Sequence, residues 1–435
     1  MPFARPALAA AFAALVLGAC SSGSSDPLVG FGADPKLPPP QNSLIPTLNV
    51  ADAVGWPQDA APTAPAGFVV TRFAGPLAHP RWLYVLPNGD VLLAESSSEP
   101  KPPKSFTDRV ANWLQRRGGS LMPSPDRIML LRDADGDGVA ETQAVFAEDL
   151  QRPTGMALVG DQLYVALDNA IVRLPYVEGR TTAAGPPVKV ADLPGGPINH
   201  HWVKNIIASP DGTQLYVTVG SNSNIGENGM QNEVDRAAVL VMNLDGSGKR
   251  VFASGLRNPN GLAWEPATGV LWTAVNERDM LGDDLVPDYM TGLKEGAFYG
   301  WPYSYFGQHV DERVQPQRPD LVAKAIEPDY ALGPHTASLG LAFYTAEAFP
   351  ARYRGGAFVG QHGSWNRRPR NGYRVVFVPF SGGRPAGEAE VFLTGFLNAE
   401  GEAQGRPVGV AVDRRGALLV ADDAGKMVWR VAPAP

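Results

Sequence analysis

The sequence predicts an all-β chain folded as a six-bladed β-propeller. Three observations carry this. A two-strand unit recurs along the chain, Gly (48) and Pro (41) are spread along it rather than clustered, and few windows have helical period. In each unit a turn leads into a short apolar strand, a β-turn follows, and a second apolar strand ends in Ala or Thr. Five copies are clear, at 80–94, 153–166, 205–218, 260–274 and 407–421, and a looser sixth combines 339–344 with 355–360. They begin some fifty to eighty residues apart, which leaves room for further strands in each unit. One such unit cannot bury both faces of its sheet. A closed ring of them can, and closure protects the sheet edges.

Taken in order, the chain opens on a targeting signal. Arg5 supplies a basic n-region and residues 7–17 an apolar h-region, too short to anchor across a bilayer. Leu17-Gly18-Ala19-Cys20 matches the bacterial lipobox, in which the cysteine is diacylated and becomes the mature N-terminus. Cys20 is the only cysteine of the chain, which leaves no intramolecular disulfide and no thiol catalysis. Residues 1–20 therefore read as a lipoprotein signal peptide. Residues 21–66 read as a Pro/Ser-rich linker that wraps the domain surface, and 67–435 as the propeller. The expected location is the bacterial cell envelope, facing the periplasm (the outer membrane in a Gram-negative cell), with membrane contact through the lipid anchor only. A period-2 strand pattern opens the domain at 67–73, and 96–126 is an insertion whose stretch 106–117 has helical amphipathic character. The net charge is −7 and no basic stripe interleaves with aromatics, so nucleic acid is not an expected partner.

Several constellations could carry chemistry. Asp133, Asp135 and Asp137, with the Val139 carbonyl and Glu141, place oxygens around a Gly-bearing turn, as a structural Ca²⁺ site requires. Ala144 stands where an EF-hand would have its closing Glu, so the loop is not an EF-hand. His200 and His201 are adjacent, and neighbours on a strand face opposite ways, which disfavours the pair as a metal site. A single imidazole over a propeller channel is suited to taking a proton near neutral pH. Arg257-Asn258 precedes an inner strand, where a guanidinium fork can meet a carboxylate or a quinone oxygen. An acidic irregular stretch, 276–289, is followed by aromatics on a turn at 296–303. His335 and the arginines of 360–370 suggest an anion site. No dinucleotide fingerprint, Walker loop, nucleophile elbow or zinc-protease motif is present in the sequence.

Together these residues resemble the PQQ-dependent soluble sugar dehydrogenases, the glucose/sorbosone dehydrogenase group, and within it the L-sorbosone and pyranose dehydrogenase branch. The likeness runs over 67–432 and rests on His201-Trp202 before Asn205, Gly220-Ser221-Asn222, Arg257-Asn258-Pro259-Asn260-Gly261, Asn276-Glu277-Arg278-Asp279, Tyr299-Gly300-Trp301-Pro302, His362-Gly363-Ser364-Trp365-Asn366-Arg367 and Asp422-Asp423. The resemblance implies PQQ across the channel mouth and a Ca²⁺ held by the backbone of Asp279 and Met280. It implies His201 as the general base while hydride passes to the quinone C5. It further implies Arg257 and Asn258 on the quinone, Arg81, His335, Arg367 and Arg368 as cofactor contacts, and Tyr299 and Trp301 on the substrate side. The substrate class is a small sugar or aldehyde, with electrons passing to a periplasmic carrier, a cytochrome or a quinone. Ser221 stands where the glucose dehydrogenases carry an acid to orient the base, and Asp168 is a candidate for that role. Two other readings stay open: a non-catalytic tethered binding propeller, and a Ca²⁺-dependent lactonase.

Overall fold

In the computed structural model residues 23–41, 47–98, 102–103 and 106–435 are described; the signal peptide and Cys20 lie outside them. Among the described residues six antiparallel sheets of four or five strands form the blades, each running from an inner to an outer strand, beside two short two-stranded sheets. Blade 1 is Pro80–Val85, Val91–Glu95, Arg127–Arg132 and Thr142–Ala147. Blade 2 is Met156–Val159, Gln162–Ala166, Ala170–Pro175 and Val188–Asp192, and blade 3 is Ile206–Ala208, Gln214–Val219, Ala238–Asn243 and Arg250–Ser254. Blade 4 is Pro259–Trp264, Leu271–Val275, Pro287–Gly292 and Tyr330–Pro334, with Phe31–Gly32 as a fifth, outermost strand. Blade 5 is Ser338–Phe343, Ala357–Gln361, Arg374–Val378 and Glu390–Leu393. Blade 6 is Pro407–Val412, Leu418–Asp422 and Met427–Pro433, and its outer strand is Phe68–Ala74 from the start of the domain. The expected propeller is thus present, and each repeat read from the sequence is the inner hairpin of one blade.

Glycine explains how the inner strands approach. Gly155, Gly261, Gly340 and Gly409 stand at or near the entries of four inner strands. A Cβ on Gly155 would lie 2.4 Å from Ile206 N, on Gly261 2.6 Å from Leu341 Cβ, on Gly340 2.4 Å from Val408 O, and on Gly409 2.7 Å from Arg81 O. Each glycine therefore lets one blade's innermost backbone touch the next. Outside this tight hub, apolar side chains fill the spaces between blades. Leu92, Leu130, Leu163 and Val165 join blades 1 and 2, and Phe358, Phe392, Val420 and Trp429 join blades 5 and 6.

The antiparallel order gives the ring two distinct faces. Connections entering an inner strand and those leaving the second strand share one face, here called the mouth; the inner hairpin turns lie on the other. The insertion expected at 96–126 sits at the mouth and carries the helix Phe106–Arg117. The segment expected to be a linker is pinned along the ring. Phe31 pairs with Leu332 on blade 4. Farther on, Gln41 N donates to Leu281 O, Asn49 N to Trp365 O, and Val54 N to Ala403 O, so the strap crosses the mouth face from blade 4 towards blade 6. Among the described residues no helix is long and apolar enough to cross a membrane.

Ring closure depends on the pairing that sets Phe68 opposite Pro433 and Arg72 opposite Trp429. Trp429 is fully buried and meets Trp56 edge-on at 5.1 Å. Trp429→Ala is expected to cost about 3–5 kcal/mol, read as a lower urea midpoint with an unchanged slope.

Candidate active site at the propeller mouth

The connections of the mouth carry the polar residues singled out in the sequence. His201 lies on the entry to blade 3 and Ser221 on the loop leaving that blade's second strand. His201 Nδ1 is 2.8 Å from Ser221 O and 3.0 Å from Ser221 Oγ. The hydroxyl proton of Ser221 is spent on Ser223 O at 2.6 Å, so Oγ faces the ring as an acceptor. Both oxygens accept from the imidazole, which fixes the proton on Nδ1 and leaves the lone pair on Nε2. Burial, then the positive Arg257 and the neighbouring His200, hold the His201 pKa well below its usual value, so the ring is an unprotonated base at neutral pH.

The backbone of Ser221 joins two parts of the site. Its carbonyl also accepts His201 N at 3.3 Å, and its N–H donates to Arg257 O at 2.7 Å. Beneath this turn the buried Lys204 donates from Nζ to His201 O and Trp202 O, both at 3.1 Å. Asp168, the candidate orienter, does not reach His201: it pairs with Arg152 and accepts from Asn199. Ser221 takes that role instead. His200 is exposed and meets the His201 ring edge-on at 4.6 Å, a packing contact rather than a chelating pair.

Arg257 and Asn258 lie next to the base. A Cβ on Gly220 would fall 2.3 Å from Asn258 Oδ1 and 2.6 Å from His201 Cβ, so the three crowd one spot. Arg257 donates to Glu277 O at 2.7 Å and Asn224 Oδ1 at 2.9 Å, and pairs with Asp279 at 3.2 Å. His335 Nδ1 is 3.4 Å from the same carboxylate. Burial opposes ionisation of Asp279, but His335 and Arg257 outweigh it and bring its pKa to about 2; in return Asp279 raises that of His335 against the effect of burial. Met280 follows with φ +76°, its side chain exposed.

Opposite the base is a cluster that the sequence reading did not assemble. Asp423 accepts from Arg81 at 2.6 Å and His362 at 2.9 Å, with His79 at 3.6 Å. Burial opposes the Asp423 charge, but His362, His79 and Arg81 hold its carboxyl far below the usual range; burial in turn lowers the pKa of both histidines, that of His79 to about 4, so Arg81 is the lasting cation of the cluster. Trp202 closes the gap towards the base: the guanidinium carbons of Arg81 and Arg152 lie 6.0 and 5.6 Å from its ring. The acidic pair Asp422-Asp423 at a strand end was the available signal.

Tyr299 is buried and donates its hydroxyl to Gly292 O at 2.8 Å, and buried Trp301 donates to Asn224 O at 2.8 Å, so the polar ends of both brace the scaffold. Arg367 is buried, with donors given to Asp283 O, Pro369 O, Ser24 O and Asp284, so protein acceptors occupy its fork. Arg368 is exposed, and its backbone N–H meets Asp283. On the opposite face, the carboxylates of Asp133, Asp135, Asp137 and Glu141 do converge, within 4.8 Å of one another. A cavity of about 450 Å³ beside them is lined by Asp90, Arg132, Asp413 and Arg415; it is remote from His201, and its charges pair largely with one another.

Residues 167–364 match the Glucose / Sorbosone dehydrogenase family model. The resemblance read from the sequence is borne out over that span, and residues 310–434 match a TrAA12-like model. A pyrroloquinoline quinone-dependent pyranose dehydrogenase of Coprinopsis cinerea is 24% identical over 317 residues, 61% of this chain and 42% of that protein. The match thus spans less than half of that relative. The holo PQQ domain of the Coprinopsis cinerea pyranose dehydrogenase superposes with a TM-score of 0.69 at 21% identity, covering 88% of this chain and 100% of that one. The PQQ-bound aldose sugar dehydrogenase of Streptomyces coelicolor gives 0.56 at 19% identity, over 85% and 99%. At these identities the structures establish the propeller fold.

Two outcomes test the assigned tautomer. Ser221→Ala keeps the carbonyl acceptor and loses the hydroxyl, so turnover should fall by about 1 kcal/mol, roughly fivefold, with KM little changed in steady-state assays. Because the His201 pKa is depressed, the proton-free base persists as pH falls. The acid limb of kcat/KM should therefore lie below pH ~6.5; a limb at or above that value contradicts the assignment.

Proposed function

We propose that this chain is a PQQ-dependent dehydrogenase of an aldose or a related sugar or aldehyde, with His201 as general base. The single observation that carries the reading is the His201–Ser221 contact: an imidazole fixed as an acceptor at Nε2, beside Arg257 and Asn258, at the mouth of a propeller. The polar groups fit a flat, multiply anionic quinone with its cation. Arg81 and Arg257 offer guanidinium groups from two sides, Arg81 Nε and His79 Nδ1 are buried without a protein partner, and the unpartnered amide oxygens Asn258 Oδ1 and Asn366 Oδ1 are acceptors for an N–H or a cation. When bound, PQQ supplies the hydride acceptor at its quinone C5, and Ca²⁺ supplies polarisation of that quinone.

The residues of the chain do the rest. His201 Nε2 takes the proton of the substrate hydroxyl as the neighbouring carbon gives up hydride. Ser221 holds the ring in the accepting tautomer and supports the charge that forms on it. Arg257, Asn258, Arg81 and His335 would seat the cofactor, and the carbonyls of Asp279 and Met280 would hold its Ca²⁺. Asp133, Asp135, Asp137 and Glu141 would bind a second, structural Ca²⁺ on the opposite face, with the Val139 carbonyl. The lipobox supports a Cys20-anchored protein facing the periplasm, with a cytochrome or a quinone as electron acceptor.

The test is reconstitution with PQQ and Ca²⁺, followed by dye reduction over a panel of sugars and aldehydes. No PQQ binding sinks the proposal. Binding without turnover on any substrate favours the non-catalytic propeller, and lactone opening without PQQ favours the lactonase. His201→Ala should retain PQQ binding in a spectral titration and lose nearly all turnover, while His200→Ala remains mild. The reverse ranking refutes the role given to His201.

A further inference from the structure

The mouth face carries a surface that the reaction does not use. Trp113 on the insertion helix is 55% exposed, and Trp365 beside His362 and Arg367 is 42% exposed. Met230 and Val234 on the loop leaving blade 3, Met280 on that leaving blade 4, and Leu48 on the strap are also exposed large apolar side chains. All six belong to mouth-face connections or to the strap that crosses them. The exposed large apolar residues of the inner and outer hairpin turns on the opposite face are valines, among them Val139, Val177 and Val270. The helix Phe106–Arg117 adds exposed Arg109 and Arg116 next to Trp113, the mixture of cationic and aromatic side chains that suits a headgroup region.

An independent observation points the same way. The first described residues are clamped to this face: Ser24 N donates to Asp284 at 2.9 Å, and Ser24 O accepts from Arg367 at 2.8 Å. Gly23 lies so close to Arg368 that a Cβ on it would fall 2.1 Å from the Arg368 carbonyl. Cys20 precedes Gly23 by three residues, a reach of at most about 11 Å. A diacylated Cys20 therefore brings the membrane to the mouth side of the ring.

We propose that the mouth face is a membrane-docking surface: Trp113, Trp365, Met230, Met280 and Leu48 seat in the lipid interface, and the active site opens towards the bilayer. This rests on the lipid anchor proposed above, and the two can be tested apart. Anchoring by acyl chains alone would leave the domain free to tumble; the apolar rim fixes its orientation. Bilayer seating is favoured over a protein partner because Gly23 and Ser24, which follow Cys20 by only three and four residues, are held on this same face.

Cys20 is the only cysteine and its thiol is consumed by acylation, so a second cysteine can be labelled alone. The acylated full-length protein is reconstituted into phosphatidylethanolamine/phosphatidylglycerol vesicles with a polarity-sensitive fluorophore on Trp113→Cys or Trp365→Cys, or on Val177→Cys or Val270→Cys. Brominated lipid should quench the first pair at least twofold, with a blue shift in emission, and leave the second pair unchanged. Equal quenching of both pairs, or of neither, overturns the docking surface while leaving an acylated Cys20 intact. A mass spectrum without acyl chains overturns the anchor and the docking with it. Shielding of the mouth probes by an added periplasmic electron carrier, and not by vesicles, overturns it in favour of a protein partner.

Discussion

Everything at the mouth depends on how closely the inner strands approach one another. Four glycines at the strand entries let backbone lie against backbone, with no room for a Cβ. That contact closes the hub and brings the loops of different blades within hydrogen-bond reach. Ser221 can serve His201 and Arg257 together because its backbone lies between the entries to blades 3 and 4, where Gly220 leaves room for the His201 and Asn258 side chains. Asp423 of blade 6 can hold Arg81 of blade 1 and His362 of blade 5 because the glycine contacts draw those three blades together. A β-sheet ring is a good scaffold for such a site because its rigidity comes from the blade cores, not from the loops that carry the chemistry.

The polar chemistry is arranged as two buried carboxylate centres across one opening. Asp279 gathers Arg257 and His335, and Asp423 gathers Arg81, His362 and His79. Each carboxylate is ionised despite burial because an arginine and the facing imidazoles compensate the lost solvation. The base stands apart from both. His201 is oriented by a carbonyl and a hydroxyl, neither of which carries a net charge, and burial together with the positive Arg257 outweighs the support that the Ser221 carbonyl gives its protonated form.

The fold was legible because a repeat repeats its physics: each inner hairpin needs the same turn, the same apolar alternation and, in four blades, the same glycine. Blade 5 read loosely because its inner hairpin is interrupted by the aromatic turn that holds Tyr344, Phe349 and Tyr353. The candidate site was legible only in part. His201 and Arg257 carry their chemistry in their side chains and in ordered motifs. The orienter of His201 is largely a backbone carbonyl, which any residue could supply, so no sequence pattern marks it. Tyr299 and Trp301 looked like the walls of a binding site because aromatics on a Gly/Pro turn often are. Their polar ends satisfy Gly292 O and Asn224 O, acceptors that sequence alone cannot place nearby. The acceptors of Arg367 are hidden from the sequence in the same way, since Asp283, Asp284 and Ser24 come from distant parts of the chain.

The last blade is built from both ends of the domain, and this has a kinetic consequence. The strand Phe68–Ala74 precedes all the other strands of the six-blade ring core, yet its partner Met427–Pro433 follows them all. The four-stranded core of each other blade is contiguous in the chain, but the ring stays an open arc until Met427–Pro433 pairs with Phe68–Ala74. Until then the edge of Phe68–Ala74 is unpaired and able to capture a foreign strand. Protection of that one segment during folding would decide how much of the chain reaches the closed ring.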